Sequence, residues 1–234
     1  MILSAIRTQV RQRANMENTQ FVTDAELLGY INAAYLELYD LLVSRFEDYF
    51  MSLDPTTHKP PTFTLAGGVN TYVLPSDLYK LRGIDVQINA PNDWNKVYRY
   101  NLDERNSRSK TINRLQYGMR VNYYRVIGNV INFLPEDQSD GTYRLWYVPR
   151  LVRLVNDSDD TAGNTLDYEE YIVVDAAIKC LLKEESEVSQ LLAIKEGIRQ
   201  RVIAMSANRD SGAQERVADV RFGSGDSSGF QFPR

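Results

Sequence analysis

Apolar and polar positions near the start of the chain repeat with the period of an α-helix. Within residues 1–15, apolar side chains stand at Ile2, Ile6 and Val10, with Leu3 beside the same stripe. Side chains at this spacing share one face of a helix. We predict a short amphipathic helix that packs on another element through this stripe.

A longer helix begins at Thr23 and carries apolar side chains on more than one face. Thr23 and Glu26 have the spacing of a capping box, in which each side chain binds a free backbone amide of the first turn. Tyr30, Tyr35 and Tyr39 widen the apolar surface beyond the stripe that one partner helix covers. We predict that these tyrosines contact a neighbouring subunit or a second helical layer. The alternative is a helix internal to the core of its own chain. The aliphatic stripe itself comprises Leu27, Ile31, Ala34, Leu38, Leu41 and Leu42.

The chain changes to the alternating pattern of β-strands between residues 51 and 164. The segment TFTLAGGVNTYVLP predicts a hairpin of two short strands around Gly67 and Gly68. We predict an antiparallel meander with Trp146 in the sheet core, and we interpret LDERNSRSKTINRLQ as an exposed loop. The further strand candidates are Gly83–Asn89, Val97–Tyr100, Met119–Val126, Val130–Leu134 and Gly141–Val148.

Helical periodicity returns after the polar linker NDSDDTAGNTLD. It predicts two helices that are separated near Glu185–Glu187, the second of which ends near Asn208. The remaining segment, SGAQERVADVRFGSGDSSGFQFPR, is rich in Gly and Ser and holds too few apolar residues for a core of its own. We predict that residues 211–234 form an extended C-terminal arm.

Together these elements predict an α+β fold. The N-terminal helices (residues 1–50) and the C-terminal helices (residues 165–210) form one helical bundle. An antiparallel β region (residues 51–164) is inserted between them, and the arm follows the bundle. The prediction rests on the helical period, which both precedes and follows the alternating region.

Composition and charge exclude several classes of protein. The 27 basic and 31 acidic residues give a net charge of −4 and a pI near 5.2, which argues against a protein that grips nucleic acid through a basic surface. No run of about 18 apolar residues predicts a membrane span, and residues 1–15 carry arginines where a secretory signal needs an unbroken apolar segment. A single cysteine excludes an internal disulfide and favours a reducing compartment.

Signatures of catalysis are scarce. His58 is the only histidine and lies in a proline-rich turn, and Cys180 lies on an apolar helix face as a small core residue would. The acidic run Asp157–Asp160 lacks the glycine and glutamate positions of a calcium loop, and we interpret it as a linker that caps the next helix. We predict no enzyme activity and no catalytic, cofactor-binding or metal-binding residues. Three glycines of the arm resemble a phosphate loop only loosely: Gly223, Gly225 and Gly229.

Two motifs give the chain a family resemblance. The helix DAELLGYINAAYLELYDLL is followed, after the predicted hairpin, by the strand entry YVLPSDLYKLRGIDV. In this order the two segments resemble the head-tail connector or adaptor proteins of tailed bacteriophages. The resemblance covers residues 23–86 well and the C-terminal helix pair by layout.

The resemblance implies a structural virion protein, assembled in the host cytoplasm, that forms a ring, usually of twelve copies. Such a ring docks beneath the portal protein, leads to tail or nozzle proteins and continues the channel through which DNA passes without specific binding. The extended arm reaches into the portal. Its apolar residues are spaced like anchors on an extended strand, and its arginines can pair with acidic groups of a partner. The predicted portal-docking residues are Arg216, Arg221, Phe222, Phe230, Phe232 and Arg234.

Two other classes of function stay open at the level of sequence. A tail or baseplate ring adaptor would use the same helices and β insertion in a different ring, and only the docking partner distinguishes it. A sugar- or protein-binding module of non-viral origin would use tyrosines and tryptophans of the β region as a flat platform, and a monomer in solution would favour it.

Overall fold

The computed structural model describes residues 1–16, 21–88, 93–109, 122–136 and 139–208. Helices stand at both ends of this part of the chain, and strands stand between them, so the predicted α+β class is confirmed. The longer helices are α1 (Leu3–Arg13), α2 (Asp24–Arg45), α4 (Glu169–Lys183) and α5 (Ser189–Asn208), and α3 (Arg105–Arg108) is a single turn. The strands are β1 (Thr62–Leu65), β2 (Thr71–Val73), β3 (Leu78–Gln87), β4 (Trp94–Lys96), β5 (Tyr98–Arg99), β6 (Tyr123–Ile127), β7 (Val130–Leu134) and β8 (Gly141–Pro149).

Helix α2 begins as its sequence predicts. The Thr23 hydroxyl accepts a hydrogen bond from the Glu26 amide at 3.3 Å, which satisfies one of the free donors of the first turn. Val22 and Leu27 on either side of this cap are both buried. The face that α2 turns toward α1, α4 and α5 carries the predicted aliphatic stripe, with the exception of Leu41, which is only partly buried.

The buried stripe of α1 is narrower than predicted, because Ile2 is 45% exposed while Leu3, Ile6 and Val10 are fully buried. Ile2 precedes the helix as its N-cap and offers no side-chain hydrogen bond to the first turn. The backbone of the acidic run supplies an acceptor for the first turn instead, since the Leu3 amide donates to the Asp159 carbonyl at 2.9 Å. Helix α4 has Tyr168 as its N-cap and no side-chain hydrogen bond there, so the interpretation of the acidic run as a cap for the following helix is wrong.

Two four-stranded sheets replace the predicted meander. Their strand orders are β1-β8-β3-β4 and β2-β7-β6-β5, with β5 and β6 parallel and every other pair antiparallel. Strands β6 and β7 form an antiparallel hairpin, and Gly128 between them has a φ of 64°. The sheets share an apolar core that includes Ile84, Ile131 and Phe133.

The hairpin predicted around Gly67 and Gly68 is wrong. β1 pairs with β8 and β2 pairs with β7, so the turn carries the chain from one sheet to the other. Both glycines have positive φ values, 69° and 77°, which suit such a reversal. The ring of Phe63 stacks on the ring of Tyr72 with centroids 3.8 Å apart, so the two strands meet through side chains instead of backbone hydrogen bonds.

Strand β8 shows which alternate residues form the sheet core. Tyr143, Leu145 and Tyr147 are buried, whereas Arg144 and Trp146 lie on the opposite face and are only partly buried. Trp146 is therefore not a core residue, contrary to the prediction. The sequence shows the alternation of β8, but the size and apolar character of Trp146 indicate the wrong one of the two alternating sets of residues as buried.

The remaining sequence predictions for the β region hold in part. β3 begins at Leu78, earlier than Gly83, and the segment around Val97 forms two short strands, β4 and β5. The polar segment after β5 contains a short 3-10 helix and α3 before residue 110. The rest of that segment, and the start of the strand predicted from Met119, lie outside the described residues. The two predicted C-terminal helices are confirmed as α4 and α5.

Candidate assembly surface

The three tyrosines predicted to meet a neighbour are placed differently from one another. Tyr35 and Tyr39 are 1% and 2% exposed and belong to the helical core of their own chain. This burial agrees with the alternative left open by the sequence, while Tyr39 also lines the groove described below. Tyr30 is partly buried against the same core and donates a hydrogen bond to Glu26 Oε1 at 3.1 Å. A contact of Tyr30 with a neighbouring subunit stays a prediction.

The opposite face of α2 borders an extended segment that follows β8. The side-chain amide of Asn32 donates to the Leu154 carbonyl and accepts from the Leu154 amide, both at 2.9 Å. Farther along α2, the Tyr39 hydroxyl donates to the Pro149 carbonyl at 2.8 Å. These three hydrogen bonds hold residues 149–154 alongside α2, running in the opposite direction to the helix, and burial of Leu154 anchors them.

A groove of about 950 Å³ lies between α2 and this segment. On the helix it is lined by Ala25, Gly29 and Ala33, which follow one another at intervals of four residues and keep the floor free of bulky side chains. Leu36, 43% exposed, stands farther along the same wall. This four-residue spacing of small side chains is the sequence signal that could have predicted a groove on this face of α2.

The other wall of the groove is positively charged. Arg150 and Arg153 line it on either side of Leu151, and both are exposed. Arg150 Nε donates to the Leu78 carbonyl at 3.1 Å, which orients the side chain but leaves its charge uncompensated. Within the described ranges neither arginine forms an ion pair.

An acidic and apolar surface lies where α4 meets α5. Leu182 and Leu192 are 56% and 48% exposed, and the turn between them carries Glu184, Glu185 and Glu187, all exposed. None of these three glutamates forms an ion pair with a described residue. Each feature alone is ordinary for a surface, but the combination of leucines with uncompensated negative charge complements the groove.

A charged cluster fixes α5 on the bundle. Lys195 of α5 lies 2.8 Å from Asp175 of α4 and 2.8 Å from Glu37 of α2. Burial works to lower the pKa of Lys195, but the hydrogen bonds to Asp175 and Glu37 outweigh it and raise the pKa. Tyr171 donates to Glu37 at 2.6 Å, and burial together with this bond raises the pKa of Tyr171. Asp175 is buried and receives a second ion pair from Lys179, so its charge is compensated.

A comparison with protein families decides the class of this protein. The family model of the SU10 adaptor proteins matches residues 1–220. The chain belongs to the SU10 adaptor protein family. A search of the curated proteins found no match.

The SU10 adaptors are a family of bacteriophage adaptor proteins, so the resemblance inferred from residues 23–86 is confirmed over a far larger part of the chain. Membership implies a structural protein with a place in the virion. It also contradicts the reading of the chain as a non-viral binding module. Among the described helices, none is both long and apolar enough to cross a lipid bilayer.

The SU10 adaptor chain has a pair of tryptophans on one sheet face, where the alternative reading expected a sugar platform. The Arg144 guanidinium lies 4.6 Å from the Trp94 ring centroid and 5.2 Å from that of Trp146. Asp85 accepts hydrogen bonds from Arg144 Nε and from the Trp146 indole, both at 2.7 Å. One face of each ring is thus occupied by Arg144, and the cluster ties β3, β4 and β8 together.

The residues considered for chemistry have structural surroundings in this SU10 adaptor. Cys180 is buried, and burial raises the pKa of its thiol. His58 is exposed on a turn that Asp54 stabilises by accepting the amides of Thr56 and Thr57. In the described part of the chain, no three His, Cys, Asp or Glu side chains are grouped so that they can hold a metal ion.

The carboxylates of the acidic run form contacts within the chain, whereas the predicted C-terminal arm lies outside the described residues. Asp157 forms an ion pair with Arg7, and the Asp159 carboxylate accepts the amides of Val155 and Asn156. These carboxylates are used within the chain. The predicted portal-docking residues Arg216, Arg221, Phe222, Phe230, Phe232 and Arg234, and the glycines Gly223, Gly225 and Gly229, lie outside the described residues.

Proposed function

We propose that this SU10 adaptor forms a ring, of twelve copies, that joins the portal to the tail and continues the DNA channel. The observation that carries the proposal is the family match over residues 1–220. A ring adaptor needs contacts to copies of itself and to two different partners. The chain offers separate candidates for these contacts: the α2 groove, the α4–α5 turn and the arm.

In this proposal the arm is the part that engages the portal. Phe222, Phe230 and Phe232 supply apolar anchors, and arginines before and after them supply positive charge. Such a segment gains binding free energy by adding a strand or filling pockets on a partner, since it holds too few apolar residues to pack on itself. Residues 211–234 therefore act as an anchor between proteins.

In this proposal the chain neither binds DNA tightly nor acts on small molecules. A net charge of −4 opposes tight binding of DNA phosphates, which suits a channel through which DNA must slide. His58 is exposed on a turn, and the thiol of Cys180 is buried. We propose that the protein catalyses no reaction and requires no cofactor.

Native mass spectrometry of the chain mixed with purified portal protein tests this function. We expect a complex of twelve adaptor chains with one portal, and we expect the double variant Phe230→Ser and Phe232→Ser to reduce its yield at least about tenfold, because two buried phenyl groups are lost. The matched control is Ser227→Ala and Ser228→Ala, which changes the same arm without removing an anchor. Binding to tail or baseplate proteins alone would instead support the tail-ring alternative, and binding to neither would contradict the proposal.

A further inference from the structure

We propose that the groove on the outer face of α2 receives the acidic α4–α5 turn of a second copy of this chain. The inference rests on the proposed ring function and names the two surfaces that meet within the ring. It is carried by the shape of the groove, by the charges on its rim and by the composition of the turn.

The groove can accept a protein surface at short distance. Ala25, Gly29 and Ala33 leave the helix backbone close to the groove, so an incoming side chain packs against the helix itself. Apolar walls surround this floor, formed by Leu28, by the exposed Leu36 and, beyond them, by Leu151. Apolar side chains that enter the groove exchange water for these contacts, which is the main source of free energy in such interfaces.

The charge on the groove specifies what enters it. Arg150 and Arg153 stand on one wall without an ion pair in the described chain, so an apolar surface that also carries carboxylates is favoured over a neutral or basic one. The α4–α5 turn has this composition. Leu182 supplies exposed apolar area at the end of α4, and Glu184 with Glu185 supplies the carboxylates that follow it directly.

The two surfaces are placed so that they serve different neighbours. Lys183, at the end of α4, contacts Glu26 of α2, and Lys195 of α5 contacts Glu37. At 3.6 residues per turn, Glu26 and Glu37 lie about 60° to 80° around α2 from Gly29, roughly a fifth of a turn, so the α4–α5 turn and the groove lie on adjacent but distinct sides of the helix. One copy can therefore offer its groove to one neighbour and its turn to another, which is the head-to-tail arrangement from which rings are built.

Charge reversal on the full-length chain tests this contact. The groove variant carries Arg150→Glu and Arg153→Glu, and the turn variant carries Glu184→Lys and Glu185→Lys. Each variant alone places like charges opposite each other, so we expect self-association measured by analytical ultracentrifugation to weaken by about tenfold or more. In an equimolar mixture every groove meets a turn of opposite charge, and association should return in complexes that alternate the two variants.

Several controls keep the result specific. The variant Lys59→Glu with Arg99→Glu reverses two exposed charges of the β region and should associate like the wild type. Thermal unfolding followed by circular dichroism should show all variants folded. A mixture that stays dissociated, a turn variant that associates normally, or a wild type that stays monomeric at millimolar concentration overturns the proposal.

Three further outcomes separate this inference from others. If deletion of residues 211–234 abolishes self-association while both charge variants associate normally, the occupant of the groove is the arm and not the turn. If the wild type binds portal but the charge variants associate normally, the proposed function stands and this contact is wrong. If the mixture restores association but portal is not bound, the contact stands and the proposed function fails.

Discussion

The inner and outer faces of α2 differ in the size of their side chains. On the inner face, Tyr35 fills the space between helices of the same chain, while Tyr39, at the edge of that face, packs on Phe50 and Tyr79 and also lines the groove. On the outer face, Ala25, Gly29 and Ala33 leave a groove. Aromatic bulk suggested an assembly surface in the sequence, yet the structure uses it for packing within one chain. The face free for a partner is the one with the smallest side chains.

The difference between the faces follows from what each must cover. The inner face meets α1, α4 and α5 at distances set by those helices, so large side chains such as Tyr35 fill the space. The outer face borders a single extended segment held by Asn32. Large side chains stabilise a core because they fill its volume, whereas small side chains leave the space that a second protein needs to enter a groove.

Replacing Tyr35 by alanine should have the largest effect on stability. Tyr35 is 1% exposed, and truncation of a buried aromatic ring costs about 3 to 5 kcal/mol, because its contacts are lost and a cavity remains. Its neighbour on the other face gives the matched control: Leu36→Ala should change the free energy of unfolding by less than about 0.5 kcal/mol. Urea unfolding followed by circular dichroism measures both.

The two values also test the contrast between the faces. Equal losses at Tyr35 and Leu36 would mean that the outer face is covered in the isolated chain, and the groove would then be closed. A small loss at Tyr35 would return this residue to the set of interface candidates.

The helices were predictable from the sequence because their signals are local. The Thr23 cap, the stripe of α2 and the gap near Glu185–Glu187 each lie within a few residues of the boundary that they determine. The sheets were not, because the alternation in β1 and β2 fixes which side chains point inward but not which strand is the partner. Strands of four and three residues pair equally well with either neighbour, and contacts such as that between Phe63 and Tyr72 decide the outcome.

The assembly surface was harder to predict for the same reason. Its floor is a local pattern of small residues in α2, but its second wall comes from Arg150 to Arg153, far along the chain. A helical pattern shows that a face is polar or apolar and says nothing of what the tertiary fold places beside it. The family, in contrast, was recognised from two local motifs and is confirmed over residues 1–220.

Alkaline pH should destabilise the inner face. Burial raises the pKa of Tyr39 to about 12, above the ordinary value of 10.0, and the pKa values of Tyr171 and Lys195 are raised as well. Below pH 10 this stability is fully present. Between pH 10 and about 12 the unfolded chain loses the Tyr39 proton while the folded chain keeps it, so stability falls by up to about 1.4 kcal/mol per pH unit for this group.

The variant Tyr39→Phe isolates this contribution. It loses the hydrogen bond to the Pro149 carbonyl, which lowers stability at neutral pH, but its stability should fall less steeply above pH 10. Tyr98→Phe removes a hydroxyl from a ring that is 52% exposed and should follow the wild-type curve. Urea unfolding at pH 7 to 11 measures the slopes, and equal slopes for Tyr39→Phe and the wild type would contradict the burial of this hydroxyl.

The smallest effect on folding is expected at Gly29, where it has the opposite sign. A Cβ added at Gly29 meets no atom within 4 Å, and alanine favours the helix over glycine by about 0.5 to 1 kcal/mol, so Gly29→Ala should stabilise the isolated chain. Gly197→Ala in α5 is the matched control, because its Cβ also meets no atom within 4 Å. Both variants should unfold at slightly higher urea concentration than the wild type.

Only one of the two glycines lies on the proposed contact between copies. The methyl group of Gly29→Ala occupies the floor of the groove and holds the neighbouring α4–α5 turn away from the helix, whereas Gly197→Ala leaves both surfaces unchanged. We therefore expect Gly29→Ala to weaken self-association in the ultracentrifuge while Gly197→Ala associates like the wild type. A packing defect lowers the stability of the chain, so it cannot explain a variant that is more stable and yet assembles less well. Normal association of Gly29→Ala would show that no second chain approaches this face closely.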